Sequence, residues 1–183
     1  NQAPYSITIT AIGEVDKGLT RSGARVGDDI WVSGTVGDAY LALMLRTGQW
    51  QGTCTEYLAQ AMDTPMPRVE LGCFLSRCAT ACADISDGFL KDLGNILTRS
   101  SVGARVNIDD LAVSPELAGR SLQQKRQAQL AGGDDYELVW TAPISARETI
   151  ENYQRDCCRR GSPLILSRVG TIVQNGLTLL DKN

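Results

Sequence analysis

The 183-residue chain has no histidine, which excludes Ser-His-Asp and Cys-His catalytic sets from the outset. Any catalysis must rest on carboxylates, arginine, lysine, backbone N–H groups and metal. Neither a G-x-x-x-x-G-K-[ST] loop nor a G-x-G-x-x-G turn occurs, so a nucleotide site here is of neither the P-loop nor the Rossmann type. No C-x-x-C pair is present. Without histidine, Cys54, Cys73, Cys78, Cys82, Cys157 and Cys158 lack the four-ligand pattern of structural zinc. In a chain long enough to fold without staples they read as free core thiols of a reducing compartment, with the second, third and fourth in one helical stretch. No apolar run approaches the ~20 residues that span a bilayer, and the N-terminus lacks a basic-then-apolar leader. The expectation is a cytoplasmic protein with no membrane partner. A net charge of -3, with no basic run interleaved with aromatics, argues against a nucleic-acid partner.

What the chain does contain is 43% hydrophobic residues, enough for one sizeable core and hence one domain over 1–183. Residues 1–15 are expected to open it, with a strand over 5–15 carried by Ile7, Ile9 and Ala11 at period two. Residues 16–183 form the body. Further strands are expected at 30–34, 82–85, 103–109, 136–141 and 163–169, and helices at 39–45, 53–62, 68–81, 88–100, 121–130 and 143–159. Residues 171–173 and 177–180 flank Asn175-Gly176, a strong hairpin signal. Strands and helices alternate without strict βαβ regularity, so the fold class is α+β, a mixed β-sheet with helices mainly on one face. Arg155, Arg159 and Arg160 sit at the C-terminal end of an amphipathic helix, where its dipole favours them.

The chemistry concentrates in Ala83-Asp84-Ile85-Ser86-Asp87-Gly88-Phe89-Leu90-Lys91-Asp92-Leu93. Phe89, Leu90, Leu93, Ile96 and Leu97 mark one face of a helix, and Ser86 or Asp87 suits its N-cap. Free N–H groups at such a terminus favour phosphate, and carboxylates beside it favour Mg²⁺. The same residues would equally serve a helix that is only capped, with Asp84 and Asp92 solvated. In Gly132-Gly133-Asp134-Asp135 the glycines let backbone approach a ligand while the acids face it, although a turn ending in two solvated aspartates has the same sequence.

Four stretches carry a family resemblance: Leu19 to Ala24 with Gly27-Asp28; Val32 to Asp38; Asp84 to Phe89 with Asp92 to Gly94; and Gly132 to Leu138. In this order they closely resemble the thiamine-monophosphate kinases, and more loosely the wider ATP-using superfamily that includes aminoimidazole ribonucleotide synthetase and selenophosphate synthetase. The resemblance implies transfer of the γ-phosphoryl of ATP to thiamine monophosphate with Mg²⁺. By motif position it implies that Asp84 and Asp87 bind Mg²⁺, that Ser86 and Arg21 contact ATP, and that Asp134 contacts the thiamine substrate. Asp134 stands where the family generally has Glu, which keeps the charge and shortens the reach. The chain begins Asn1-Gln2-Ala3-Pro4 without Met. Set against the family, it lacks an N-terminal domain with further Mg²⁺-binding aspartates and a C-terminal aromatic expected on thiamine. The expectation is the C-terminal domain of a kinase, inactive or nearly so alone, whose full-length form pairs as a homodimer through the missing domain. Two alternatives stay open: another acceptor within the superfamily, or a non-catalytic domain whose aspartates serve only to bind a cation.

Overall fold

The computed structural model describes residues 8–10, 12–15 and 18–181. Residues 8–10 and 12–15, the described part of the expected opening strand, are exposed and form no strand, and the rest of that stretch lies outside the described residues.

Six strands form one mixed sheet: β1 (Asp29–Ser33), β2 (Ala81–Ile85), β3 (Gly103–Asn107), β4 (Glu137–Ala142), β5 (Leu166–Val173) and β6 (Leu177–Leu180), in the order β2-β4-β1-β5-β3-β6. All neighbours are antiparallel except β3 and β6. The helices are α1 (Asp38–Arg46), α2 (Glu56–Asp63), α3 (Val69–Leu75), α4 (Phe89–Ser100), α5 (Pro115–Ala118), α6 (Leu122–Ala131) and α7 (Arg147–Arg159).

β1 is central and buried at every position, and its alternation divides the core. Ile30 and Val32 face a cluster with Ile85, Val139 and the α4 residues Phe89, Leu93 and Ile96. Trp31 points the other way, stacked at 6.3 Å on Trp140, in a cluster with Leu71 and Leu75 of α3 and Ile150 of α7. The α+β mixed sheet is as expected, but the helices, expected mainly on one face, are shared between the two, with α4 on one and α3 and α7 on the other. A third cluster joins Leu41 of α1, Leu58 of α2, Leu117 of α5 and Ala128 of α6. Each large apolar side chain buried in this way contributes about 1.5–3 kcal/mol relative to an exposed one. Among the described residues no helix is long and apolar enough to cross a membrane.

Two further expectations require correction. The helix read over 68–81 ends at Leu75, because Thr80 instead donates its amide to the Thr141 carbonyl and β2 pairs with β4 from Ala81 on. Strand pairing overrides helical spacing there, so Cys73, Cys78 and Cys82 fall in a helix, a turn and a strand respectively. All the cysteines are free.

The hairpin around Asn175-Gly176 does not form either. β3 lies between β5 and β6, and the turn crosses over the start of β3, where the Ala104 amide donates to the Gly176 carbonyl at 2.8 Å. Gly103 permits the crossing, since a Cβ there would lie 2.2 Å from that carbonyl oxygen.

Candidate active site

The two motif turns meet at one end of the sheet. β2 and β4 pair with Ile85 opposite Glu137, so residues 86–88 leave β2 beside residues 132–136 entering β4. The Asp134 amide donates to the Ser86 carbonyl and the Tyr136 amide to the Ile85 carbonyl, both at 2.9 Å. A Cβ on Gly133 would lie 2.5 Å from the Ser86 oxygen, so the paired glycines serve the contact between the turns.

Asp92 holds the first turn. It is buried within α4, and its Oδ2 accepts the amides of Ser86 at 3.1 Å, Asp87 at 2.9 Å and Gly88 at 3.1 Å. This corrects the reading in which Ser86 or Asp87 caps the helix and Asp92 is solvated. Gly88 occupies the cap position without a side-chain cap, and the amides of the turn that leads into it are already bonded to Asp92. A charged acceptor close to the positive end of the helix dipole outcompetes a hydroxyl for these donors.

With those amides occupied, the exposed groups of the turn are its side chains. Asp87 is exposed and paired with Lys91 at 2.9 Å. Asp84 lies on β2, half-exposed, and meets Arg21 across a loose 3.5 Å contact. Arg21 is brought there by backbone pairing, because the Cys82 amide donates to the Thr20 carbonyl and lays residues 19–22 along the outer edge of β2. Arg21 and Asp84 line one hollow of about 770 Å³. Asp84 offers hard oxygen donors held only by its loose contact with Arg21, and Asp87 offers a second carboxylate whose one ion-pair partner is the exposed Lys91 in the first turn of α4. Among the described residues no group of three or more His, Cys, Asp or Glu could hold a metal by itself.

In the second turn Asp134 takes a left-handed backbone (φ 66°) and is exposed. Asp135 turns inward instead, accepting the amides of Gly37 at 2.7 Å and Ala39 at 3.2 Å at the start of α1. Burial pushes its carboxyl up to about 7; those two amides pull it down, and the charges of Asp38 and Glu137 raise it further. Glu137 follows, buried, accepting Ser33 Oγ at 2.5 Å and both prongs of Arg68, Nε at 2.8 Å and Nη2 at 2.5 Å. Asp38 is buried under the hydroxyls of Thr35 at 2.6 Å, Tyr57 at 2.9 Å and Ser114 at 2.5 Å. Asp38, Asp135, Glu137 and Arg68 line a second cavity of about 260 Å³.

Sequence reasoning gave Glu137 and Arg68 no role, and it read Asp92 and Asp135 as ligand-facing or solvated acids where both turn inward onto backbone amides. Asp92 had a usable signal, an acid one turn into an apolar helix that follows an acidic turn. Arg155 and Arg159 pair with neighbours on their own helix, at Asn152 and Asp156, as a structural role requires.

Residues 25–141 match the family model described as AIR synthase related protein, C-terminal domain. The chain is 40% identical over 151 residues to the thiamine-monophosphate kinase of Haemophilus influenzae, covering 80% of this chain and 46% of that protein. It resembles the crystal structure of thiamine-monophosphate kinase from Stenotrophomonas maltophilia K279a with a TM-score of 0.80 and 39% identity, over 90% of this chain and 53% of that one. AaThiL complexed with AMPPCP and TMP is also similar, with a TM-score of 0.71 and 26% identity, over 88% of this chain and 50% of that one. The chain therefore spans about half the length of the relatives it matches.

Proposed function

Because this chain belongs to the family of AIR synthase related C-terminal domains, we propose that it is the C-terminal domain of a thiamine-monophosphate kinase, transferring the γ-phosphoryl of ATP to thiamine monophosphate. The observation that carries this reading is the junction of the two turns: Ser86 and Asp87 on one, Asp134 on the other, held together at 2.9 Å, with Asp84 on the adjoining strand β2 and Arg21 alongside. The thiamine-monophosphate kinases named above, and the TMP and AMPPCP of the AaThiL complex, supply the substrates.

Phosphoryl transfer requires alignment and charge neutralisation more than covalent help from the protein, which suits a site built from carboxylates and arginine without histidine. In this reading Asp84 and Asp87 hold Mg²⁺, whose usual complement is one or two carboxylates with substrate phosphates and water. Two half-free carboxylates match that donor set. When bound, the ion neutralises charge on the phosphates. Arg21 and the Ser86 hydroxyl contact ATP, and Asp134 faces the acceptor. Asp92 fixes the backbone that aims Ser86 and Asp87. Further metal ligands come from the rest of the full-length protein, which pairs as a dimer and works in the cytoplasm; these residues alone are inactive or nearly so.

The test is product formation from ATP by the full-length protein, with thiamine monophosphate in a panel of phosphorylated and non-phosphorylated acceptors. Thiamine diphosphate as the main product supports the reading. Turnover only with another acceptor would move the protein elsewhere in the superfamily, and Mg²⁺-dependent nucleotide binding with no transfer would make it a binding domain.

A further inference from the structure

Ser100 joins two segments that are distant in sequence. Its Oγ accepts the amides of Gly23 and Ala24, each at 3.1 Å, and donates to the Arg21 carbonyl at 3.4 Å. This ties the loop carrying Arg21 to the last turn of α4, where Arg99 precedes Ser100. Arg99 consequently lines the same hollow as Arg21 and Asp84.

The balance of charge there favours an anion. Arg68 also reaches this hollow, but its guanidinium is spent on Glu137. Arg21 has only its 3.5 Å contact with Asp84. Arg99 is exposed, and among the described residues it has no ion-pair partner. Two guanidinium groups thus face one carboxylate. Part of the lining is apolar, with Leu19, Val69, Leu138 and Cys82. Cationic prongs beside apolar surface suit a ligand with an anionic and an aromatic part, as in a nucleoside phosphate.

Position separates the two arginines. Gly23 packs against the Thr80 carbonyl, just before β2 begins, whereas Asp84 is near the other end of that strand. We infer that Arg99 is a second nucleotide-binding residue, contacting the phosphate nearest the nucleoside while Arg21 takes the outer phosphates at the Asp84 end. The inference rests on the proposed ATP site and adds to it a residue and a direction for the bound nucleotide along the edge of β2.

The alternative for Arg99 is to complement the negative end of the α4 dipole, a role that would affect stability alone. The test is equilibrium binding of AMP and of Mg-ATP to the full-length protein and to Arg99→Ala, Arg99→Lys and Arg21→Ala, with melting temperatures alongside. Loss of one charge-assisted contact corresponds to about tenfold in affinity. Arg99→Ala is expected to weaken AMP and ATP alike by that factor at an unchanged melting temperature, with partial recovery in Arg99→Lys. Arg21→Ala is expected to weaken ATP more than AMP. Wild-type affinities in Arg99→Ala, together with loss of ATP binding in Arg21→Ala, would overturn this inference and leave the kinase reading intact. No nucleotide binding by the wild type would overturn both.

Discussion

The Asp92 carboxylate accepts the Gly88 amide at 3.1 Å across the first turn of α4, and the same oxygen takes the amides of Ser86 and Asp87. One buried acid thereby fixes the backbone of the turn that leads into α4 and takes up its three amides. With those three amides taken, the Asp87 and Asp84 carboxylates and the neighbouring Arg21 are the groups that this part of the site offers to the proposed chemistry.

Removing Asp92 should damage both fold and site. Asp92→Ala leaves amides without their acceptor, at a cost of about 1–3 kcal/mol for a buried unsatisfied group. Chemical denaturation should show a loss of that order, and nucleotide affinity should fall with it. Asp92→Asn, which retains one acceptor oxygen, should lie between Asp92→Ala and the wild type.

The Arg68–Glu137 fork anchors the entry to β4 two residues beyond Asp135. Arg68→Ala leaves the Glu137 carboxylate buried with Ser33 Oγ as its remaining side-chain donor, and breaking one side of a buried ion pair costs about 3–5 kcal/mol. The double variant Arg68→Met with Glu137→Leu should recover most of that stability, because it removes the stranded charge. Urea midpoints of the three proteins check this.

Asp135 gives a pH dependence of defined sign. Its carboxyl titrates near 7 in the folded chain against 3.8 for the free group, so between those values the native state binds more protons than the unfolded one. The stability it contributes is full below the lower value and is lost as pH rises through the upper one. The melting temperature of the wild type minus that of Asp135→Asn should therefore fall between pH 4 and pH 7. Asp63, held below the usual carboxylate range by Arg46, works in the opposite sense but is common to both proteins and cancels.

Much of the fold was legible because apolar spacing reports burial directly. Phe89, Leu93, Ile96 and Leu97 read as a buried helix face and are one, and all five positions of β1 are buried. What the sequence could not convey is pairing between distant segments. Helical spacing past Leu75 yields to the β4 ladder, and the Asn175-Gly176 turn crosses a strand that local chemistry cannot announce. The site divides in the same way. Motif order named Asp84, Ser86, Asp87 and Asp134 as candidates, and the fold brings their two segments together, whereas spacing does not reveal which acid of a pair turns inward. Asp134 and Asp135 are adjacent, and only the geometry of α1 makes the second a cap. Arg68 and Glu137, 69 residues apart, leave no local signature at all.

The central claim is that Asp84 and Asp87 hold the Mg²⁺ that accompanies ATP. It is tested most directly by the Mg²⁺ concentration giving half-maximal thiamine diphosphate formation, measured for the full-length wild type, Asp84→Asn and Asp87→Asn at saturating ATP and equal fractions of folded protein. The account predicts that each substitution raises that concentration by about tenfold or more, since a lost ligand charge costs at least the 1.4 kcal/mol that a factor of ten represents. An unchanged Mg²⁺ requirement in both variants would contradict it.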